Sequence, residues 1–470
     1  MRGNQSAATG PSQILDLADL IRRRLPDLED QLAEQGRWLP RRVPAALRAI
    51  ARCGDPCFGF AWLRCGPCDQ HRLVAHSCKT RVLCGRCGGR RMATFAAHLV
   101  DHVLPRVAVR QFVLTVPWPR RWLLARRPSV ARGVLGVALR TLFRWQAARA
   151  EAVGVPGGEG GSVTWTQRFG SALNLNLHFH MLLLDGVFAP DPVTGHPRWH
   201  RIEPPTTSDV EGLVIEIAQR CEAWLARRGH SPDGSPDEDH IEGDSDPGDA
   251  QLVIQAAAVA GRSATARGRR ARRVKVHRGR EYRLPPRCAT YNGYNLHAGV
   301  VAGTKDRKGL ERLCRYIARP ALAKERLSSL PGGRVRLALK STWSDGTAAI
   351  EMTEVELLER LAALVPPARS HEVHYHGVLA PRHRWRRLVV PRGPPRESTP
   401  VLTKTGVPSP TSTWFPWAAL LLRVFDVDAL RCPECGNRMA VRAVVLPPAT
   451  IRVIRGLERA RGSPGRASAA

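Results

Sequence analysis

Lysine is scarce in this chain: seven of 470 residues, beside five tyrosines and an aromatic content of only 6%. Long apolar runs are missing as well. Arginines interrupt the best candidates before they reach the roughly 20 residues a membrane-spanning helix needs, so no such helix is expected. The N-terminus has no basic-apolar-small leader pattern, and the cytoplasm is the expected compartment. There, twelve cysteines at paired spacings argue for metal ligation rather than disulfides. Acidic residues are the third shortage: 41 Asp and Glu face 72 Lys and Arg, a net charge of +31, and 65 of the cations are arginine. Codon bias accounts for much of the preference for arginine over lysine. It does not account for the net charge, which points to a polyanionic partner.

The most informative segment is Leu173-Asn-Leu-Asn-Leu-His178-Phe-His180-Met181. Its alternation is that of a β-strand, so Asn174, Asn176, His178 and His180 share one face while Leu173, Leu175, Leu177 and Phe179 face a core. Two imidazoles two residues apart on a strand can grip one cation. The preceding run from Val163 to Arg168 reads as a hairpin partner across Phe169-Gly-Ser171, which makes Gln167 a candidate third ligand, with His297 and His376 as the other choices. His374 and His376 form a competing pair at strand spacing, but without an extended polar face.

Along the chain, residues 1 to about 50 look helical, with Ile14, Leu17, Leu20 and Ile21 at helical spacing. Arg110 to Pro117 reads as a buried strand, followed by a Leu/Arg-rich helix to about Ala152. Residues 227–249 are acidic, rich in Pro and Gly and almost free of large apolar side chains, which reads as a disordered insert. The strongly basic stretch from Arg262 to Arg280 reads as an arm that this insert could mask. Thr353 to Val365 reads as an amphipathic helix with a capping box at Thr353 and Glu356, and His371 to Leu379 as a strand. A helix is expected around Trp417 to Leu430.

The cysteine block holds two hooks, Cys65-x2-Cys68 and Cys84-x2-Cys87, at a separation suited to one tetrahedral zinc site. Cys78 could replace any of the four. Cys53 and Cys57 remain for a second site with His71, His76, or the distant Cys432 and Cys435, while Cys221, Cys288 and Cys314 read as ordinary buried thiols. Finally, Tyr316 lies in a helical segment whose core stripe is Leu310, Leu313, Cys314 and Ile317. Arg312 at i−4 and Arg319 at i+3 would flank it, and a phenol between guanidiniums suits attack on a phosphodiester. Trp145, Trp165 and Trp343 are candidates for base stacking.

In combination these segments resemble the insertion sequence 91 family of rolling-circle transposases. The similarity runs through Cys84-Gly-Arg-Cys87-Gly-Gly-Arg-Arg-Met92, Thr166 to His180, Arg315-Tyr316-Ile-Ala-Arg-Pro320, Tyr375 to Pro381 and the Cys432 knuckle. It covers roughly residues 40 to 450. The resemblance implies an α+β fold: an HUH endonuclease core, a central antiparallel sheet flanked by helices, with a zinc-binding domain before it and a small zinc-knuckle-like region after it. The implied division is 1–105 for the N-terminal helical and zinc-binding part, 106–385 for the catalytic part, 386–413 for a linker and 414–470 for the C-terminal helix, knuckle and basic tail. It further implies Mg2+ or Mn2+ at His178 and His180, structural Zn2+ at the cysteines, and Tyr316 as nucleophile forming a 5′-phosphotyrosine on single-stranded DNA at the element ends and target. Phe112 to Val116 would lie beside the histidine strand. The host would be bacterial, with the bound protein on the nucleoid. The two-tyrosine members carry a second tyrosine one turn away, whereas Arg312 and Pro320 stand at those places here. This chain therefore reads as a single-tyrosine enzyme, and strand transfer would need a homodimer or a second cycle. A replication initiator or relaxase, and a non-enzymatic zinc-dependent DNA-binding protein, are the alternatives.

Overall fold

The computed structural model describes residues 15–392, except 79, 81–82, 231–247, 267, 278 and 280–282, together with 401–402, 408–409, 428 and 430–462. The acidic insert and the helix expected around 417–430 fall almost wholly outside these residues.

Helix α1 (Leu17–Ala33) is capped by Asp16, which accepts from the Ala18 and Asp19 amides, and it buries Leu20, Ile21, Leu25, Leu28 and Leu32. Helix α2 (Arg42–Ala51) follows. A hairpin of β1 (Phe60–Arg64) and β2 (His71–Ala75) turns at the Cys65-x2-Cys68 hook, and α3 (Gly85–His102) starts directly at Cys84. After β3 (Val109–Thr115), the expected single Leu/Arg-rich helix is two, α4 (Trp118–Arg126) and α5 (Pro128–Ala152). Pro128 explains the break, because it lacks an amide proton and restricts Arg127. The expected hairpin is present as β4 (Gly161–Phe169) and β5 (Leu175–Leu184), with Leu173 at φ 57° in its turn.

A small ladder, β6 (Gly186–Pro190) with β7 (Pro197–Arg201), leads to α6 (Thr207–Ala226), which has a Thr206/Asp209 capping box, and then to α7 (Ala250–Val259). The stretch expected to be a basic arm contains a strand, β8 (Arg272–Lys275). It is held in a sheet because Arg272 pairs with the buried Glu351 and Arg273 with Asp345. Strands β9 (Cys288–Tyr291) and β10 (Tyr294–Ala302) precede α8 (Arg307–Ile317), which ends before Pro320. Strands β11 (Leu327–Leu330), β12 (Arg334–Ala338) and β13 (Thr347–Thr353) lead to α9 (Glu354–Leu364), then β14 (Val373–Gly377) and α10 (Arg386–Val389). A short ladder of β15 (Val401–Leu402) and β16 (Pro408–Ser409), strand β17 (Ala440–Val445) and α11 (Ala449–Gly462) complete the described elements.

The central sheet has six antiparallel strands in the order β14-β4-β5-β3-β10-β9, so the histidine strand lies in the middle with β3 beside it. One face carries Phe112, Leu114, Leu177, Phe179, Met181 and Leu183 into the main core under α4 to α7 and α9. The other carries Val163, Trp165, Leu182 and Leu184 against α3 and α8. Arg110 fixes the sheet from within: it donates to both Asp185 oxygens at 2.8 and 2.9 Å and to the Ala298 carbonyl at 3.0 Å. Helix α9 has its expected capping box but is buried on every side rather than on one. Its charged residues survive burial by being paired, Glu354 with Arg23 and Arg24, and Glu359 with the amides of Ala264 and Thr265.

Helices α1 and α2 share the core of α9, β3 follows directly from α3, and β17 pairs with β1.

Candidate functional site

Alternation along β5 places His178 and His180 on the sheet face that α8 crosses, with their ring centroids 4.9 Å apart. Gln167 stands opposite His178 on β4, and its amide nitrogen donates to the Ile317 carbonyl at 3.3 Å, one residue after Tyr316. Two buried atoms here have no hydrogen-bond partner: Gln167 Oε1 and His180 Nε2. His178 Nδ1 lies 2.9 Å from the Asn176 carbonyl, which fixes the proton on Nδ1 and leaves Nε2 as a lone-pair donor. Burial holds the His178 imidazole down at about 4, the Asn176 carbonyl opposing and Arg319 and Arg121 reinforcing the shift. Burial, with His178 beside it, puts His180 well below the usual range. Both rings are neutral at neutral pH, the form that can bind a cation. The unpartnered lone pairs of His180 and the Gln167 amide, beside the Nε2 that His178 leaves open, fit a hard or borderline divalent ion.

Gln111 was not among the residues read from sequence as functional. On β3, buried, its side-chain amide meets His180 Nδ1 at 2.6 Å. The amide nitrogen is the atom facing the ring here, and with Nε2 given to a cation the amide would turn over so that its oxygen accepts from Nδ1–H; either way the contact orients the ring. The only sequence signal is a polar residue inside an apolar strand.

The other imidazoles lie elsewhere. His297 pairs with Val113, across β3 from the histidine strand, and His374 and His376 pair with Thr164 and Ser162, whose side chains take the opposite face from Gln167. Alternation thus separates the competing pair from the site.

Tyr316, at the end of α8, is 41% exposed and the only exposed tyrosine among the described residues. Its ring stands edge-on to His180 with centroids 6.2 Å apart. Arg319 lies 4.3 Å and the Lys340 ammonium 4.0 Å from the ring centre. Burial pushes the phenol up, but the charges and hydrogen bonds of Arg319 and Lys340 outweigh it and leave it below its ordinary value. Arg312 is corrected here: it is exposed and is not one of the cations on the ring. Helical side chains lean toward the N-terminus, so a residue at i−4 leans away from Tyr316. The second cation comes instead from the loop after β12. That loop is anchored on the β4–β5 hairpin, where the Trp343 indole donates to Ser171 Oγ at 3.0 Å. Of the tryptophans proposed for stacking, Trp165 is buried edge-on against Phe95 and is unavailable. Trp145 and Trp343 are partly buried, under Arg149 and Arg273.

The cysteine assignment is corrected too. The two hooks do not close one site. Cys84 and Cys87 join Cys53 and Cys78, and Cys65 and Cys68 join Cys432 and Cys435; within each set the sulfurs lie within 4.8 Å of one another. The hooks separate because one forms a hairpin tip and the other opens α3. Cys57 is exposed, and among the described residues neither it, His71 nor His76 joins a cluster. Cys221, Cys288 and Cys314 are buried thiols, as read.

Residues 161–387 match the family model described as "Putative transposase", and residues 23–116 match the one described as "Transposase zinc-binding domain". No curated protein and no solved structure matches the chain. The zinc-binding match and the cysteine clusters together support structural zinc. No described helix is long and apolar enough to cross a membrane.

Proposed function

The chain belongs to the insertion sequence 91 family of transposases, which implies DNA binding and cleavage, and from that premise we propose that it nicks and rejoins single-stranded DNA through Tyr316. The observation that carries this reading is the exposed Tyr316 phenol set over the His178 and His180 face between two cations. His178, His180 and Gln167 would hold Mg2+ or Mn2+, whose charge would polarise the scissile phosphate. Arg319 and Lys340 lower the proton affinity of Tyr316 and stand where a phosphate reaching the phenol must come. Tyr316 Oη then bonds to phosphorus, the bond from phosphorus to the 3′-oxygen breaks, and that oxygen takes a proton. The product is a 5′-phosphotyrosine with a free 3′-hydroxyl. Attack of a 3′-hydroxyl on the same linkage reverses the step and joins strands with no nucleotide cofactor. With one tyrosine on α8, two strands can be held at once only by two protomers, so a homodimer belongs to this reading.

The test uses labelled single-stranded DNA from the flanks of the gene, incubated with the protein and with Tyr316→Phe, in Mg2+, Mn2+ or EDTA. A covalent adduct is expected that needs the cation and the phenol. Salt-sensitive binding with no adduct on any flanking strand would overturn the reading in favour of DNA binding alone.

A further inference from the structure

The zinc-binding match ends at residue 116, yet one of the two four-cysteine clusters draws half its sulfurs from the far end of the chain. Cys65 Sγ lies 3.4 Å from Cys435 Sγ, and Cys68 Sγ lies 3.5 Å from Cys432 Sγ. A tetrahedral zinc site with bonds of about 2.3 Å has sulfur–sulfur edges of roughly 3.8 Å, so a small expansion would seat the ion. A disulfide would need the sulfurs at about 2 Å.

The two halves are built alike. In each, the first cysteine's amide donates to the carbonyl five residues on, Cys65 to Gln70 at 2.9 Å and Cys432 to Asn437 at 2.7 Å. In each, the amide two residues past the second cysteine points at its sulfur, Gln70 at Cys68 and Asn437 at Cys435, as thiolate ligands require. The Asn437 side chain adds a second donor to Cys435 at 3.5 Å. Each half also adjoins a strand, β1 leading into Cys65 and β17 following Cys435, and the two pair antiparallel from Phe60–Val445 to Arg64–Ala440.

Among the described residues the apolar cluster at this junction has Leu63, Cys65, Cys432 and Met439 as its buried members, with Ala61, Val74 and Leu430 partly buried against them, a small core beside the β1–β17 ladder for fixing two segments 364 residues apart without a metal. We propose that Cys65, Cys68, Cys432 and Cys435 bind one structural zinc ion that clasps the C-terminal knuckle to the N-terminal hairpin. The clasp would carry β17 and α11 with it. Thr450 Oγ1 on that helix donates to the Cys57 carbonyl at 2.9 Å, so the basic C-terminal helix is delivered onto the N-terminal cysteine block.

The full-length protein is expected to hold two zinc ions per chain by elemental analysis. The Cys432→Ser/Cys435→Ser pair should lose one of them, and the Cys53→Ser/Cys84→Ser pair the other. A protease site inserted after Ser398 gives the second readout. After cleavage the C-terminal fragment should co-elute with the rest, and in the Cys432→Ser/Cys435→Ser background, where the other cluster keeps its zinc, it should separate. One zinc per chain, two zincs retained without Cys432 and Cys435, or a fragment that stays bound in that background would each overturn the clasp.

Discussion

Among single residues, Lys340 and Gln111 change the picture most, because neither lies in the motifs that mark the site. Lys340 is expected to act through charge at Tyr316. Lys340→Gln should lower adduct formation on the order of 10²-fold, with Lys340→Arg recovering much of it, as for other groups aimed at developing charge. The sign with pH follows from the lowered phenol: the phenolate fraction rises with pH, so adduct formation should climb and level off below the ordinary tyrosine range. In Lys340→Gln the plateau should move to higher pH. A rate–pH profile of both proteins checks this, and coincident profiles would remove Lys340 from the mechanism. Gln111 orients His180, so Gln111→Leu should weaken Mn2+ binding about 10- to 100-fold while leaving the fold intact, read by metal titration of adduct formation.

At the scale of elements, the contact between α3 and α8 ties the first cysteine cluster to the nucleophile. A Cβ at Gly88, one residue past Cys87, would stand 2.6 Å from Pro320, four residues past Tyr316. Gly88→Ala should therefore cost about 1–3 kcal/mol by overpacking. It should also reduce adduct formation at temperatures where the protein remains folded, which separates displacement of α8 from unfolding. The buried helix α9 gives a second case. Glu359 accepts from the Ala264 and Thr265 amides at 2.9 Å and from Ser263 Oγ at 3.0 Å, with the Thr265 hydroxyl also bound to it. Glu359→Ala would strand these donors and should cost about 3 kcal/mol in denaturant unfolding. A loss below about 0.5 kcal/mol would show that water replaces the carboxylate.

Across the whole molecule, charge is organised rather than only abundant. The buried Glu351 on β13 gathers Arg272 from β8 on one side and Arg334 and Arg336 from β12 on the other, which lines up guanidiniums on the sheet whose β12–β13 loop delivers Lys340. If a DNA strand binds along these arginines, it lies on the sheet whose next loop carries Lys340 to the Tyr316 ring. Affinity for single-stranded DNA should then fall steeply with salt, roughly 10³- to 10⁵-fold between 50 and 200 mM if six to ten phosphates are engaged. The Arg334→Ala/Arg336→Ala pair should flatten the slope of log affinity against log salt. An unchanged slope would place the DNA elsewhere.

What the sequence determined by itself is whatever repeats over a few bonds. Alternation on β5 put His178 and His180 on one face, the short turn made Gln167 their neighbour, Thr353 and Glu356 capped α9, and the spacing of Leu310, Cys314 and Ile317 turned Tyr316 outward. These follow from the two-residue period of a strand and the 3.6-residue period of a helix, which need no distant partner. The tertiary structure alone decided which segments meet. It sent the two cysteine hooks to different clusters, replaced Arg312 by Lys340, set Gln111 behind His180 and moved His374 and His376 to the far face. A hook of two cysteines has the same local geometry whichever second hook completes it. The choice rests on strand pairing and core packing between residues up to 370 positions apart, and no local spacing encodes that.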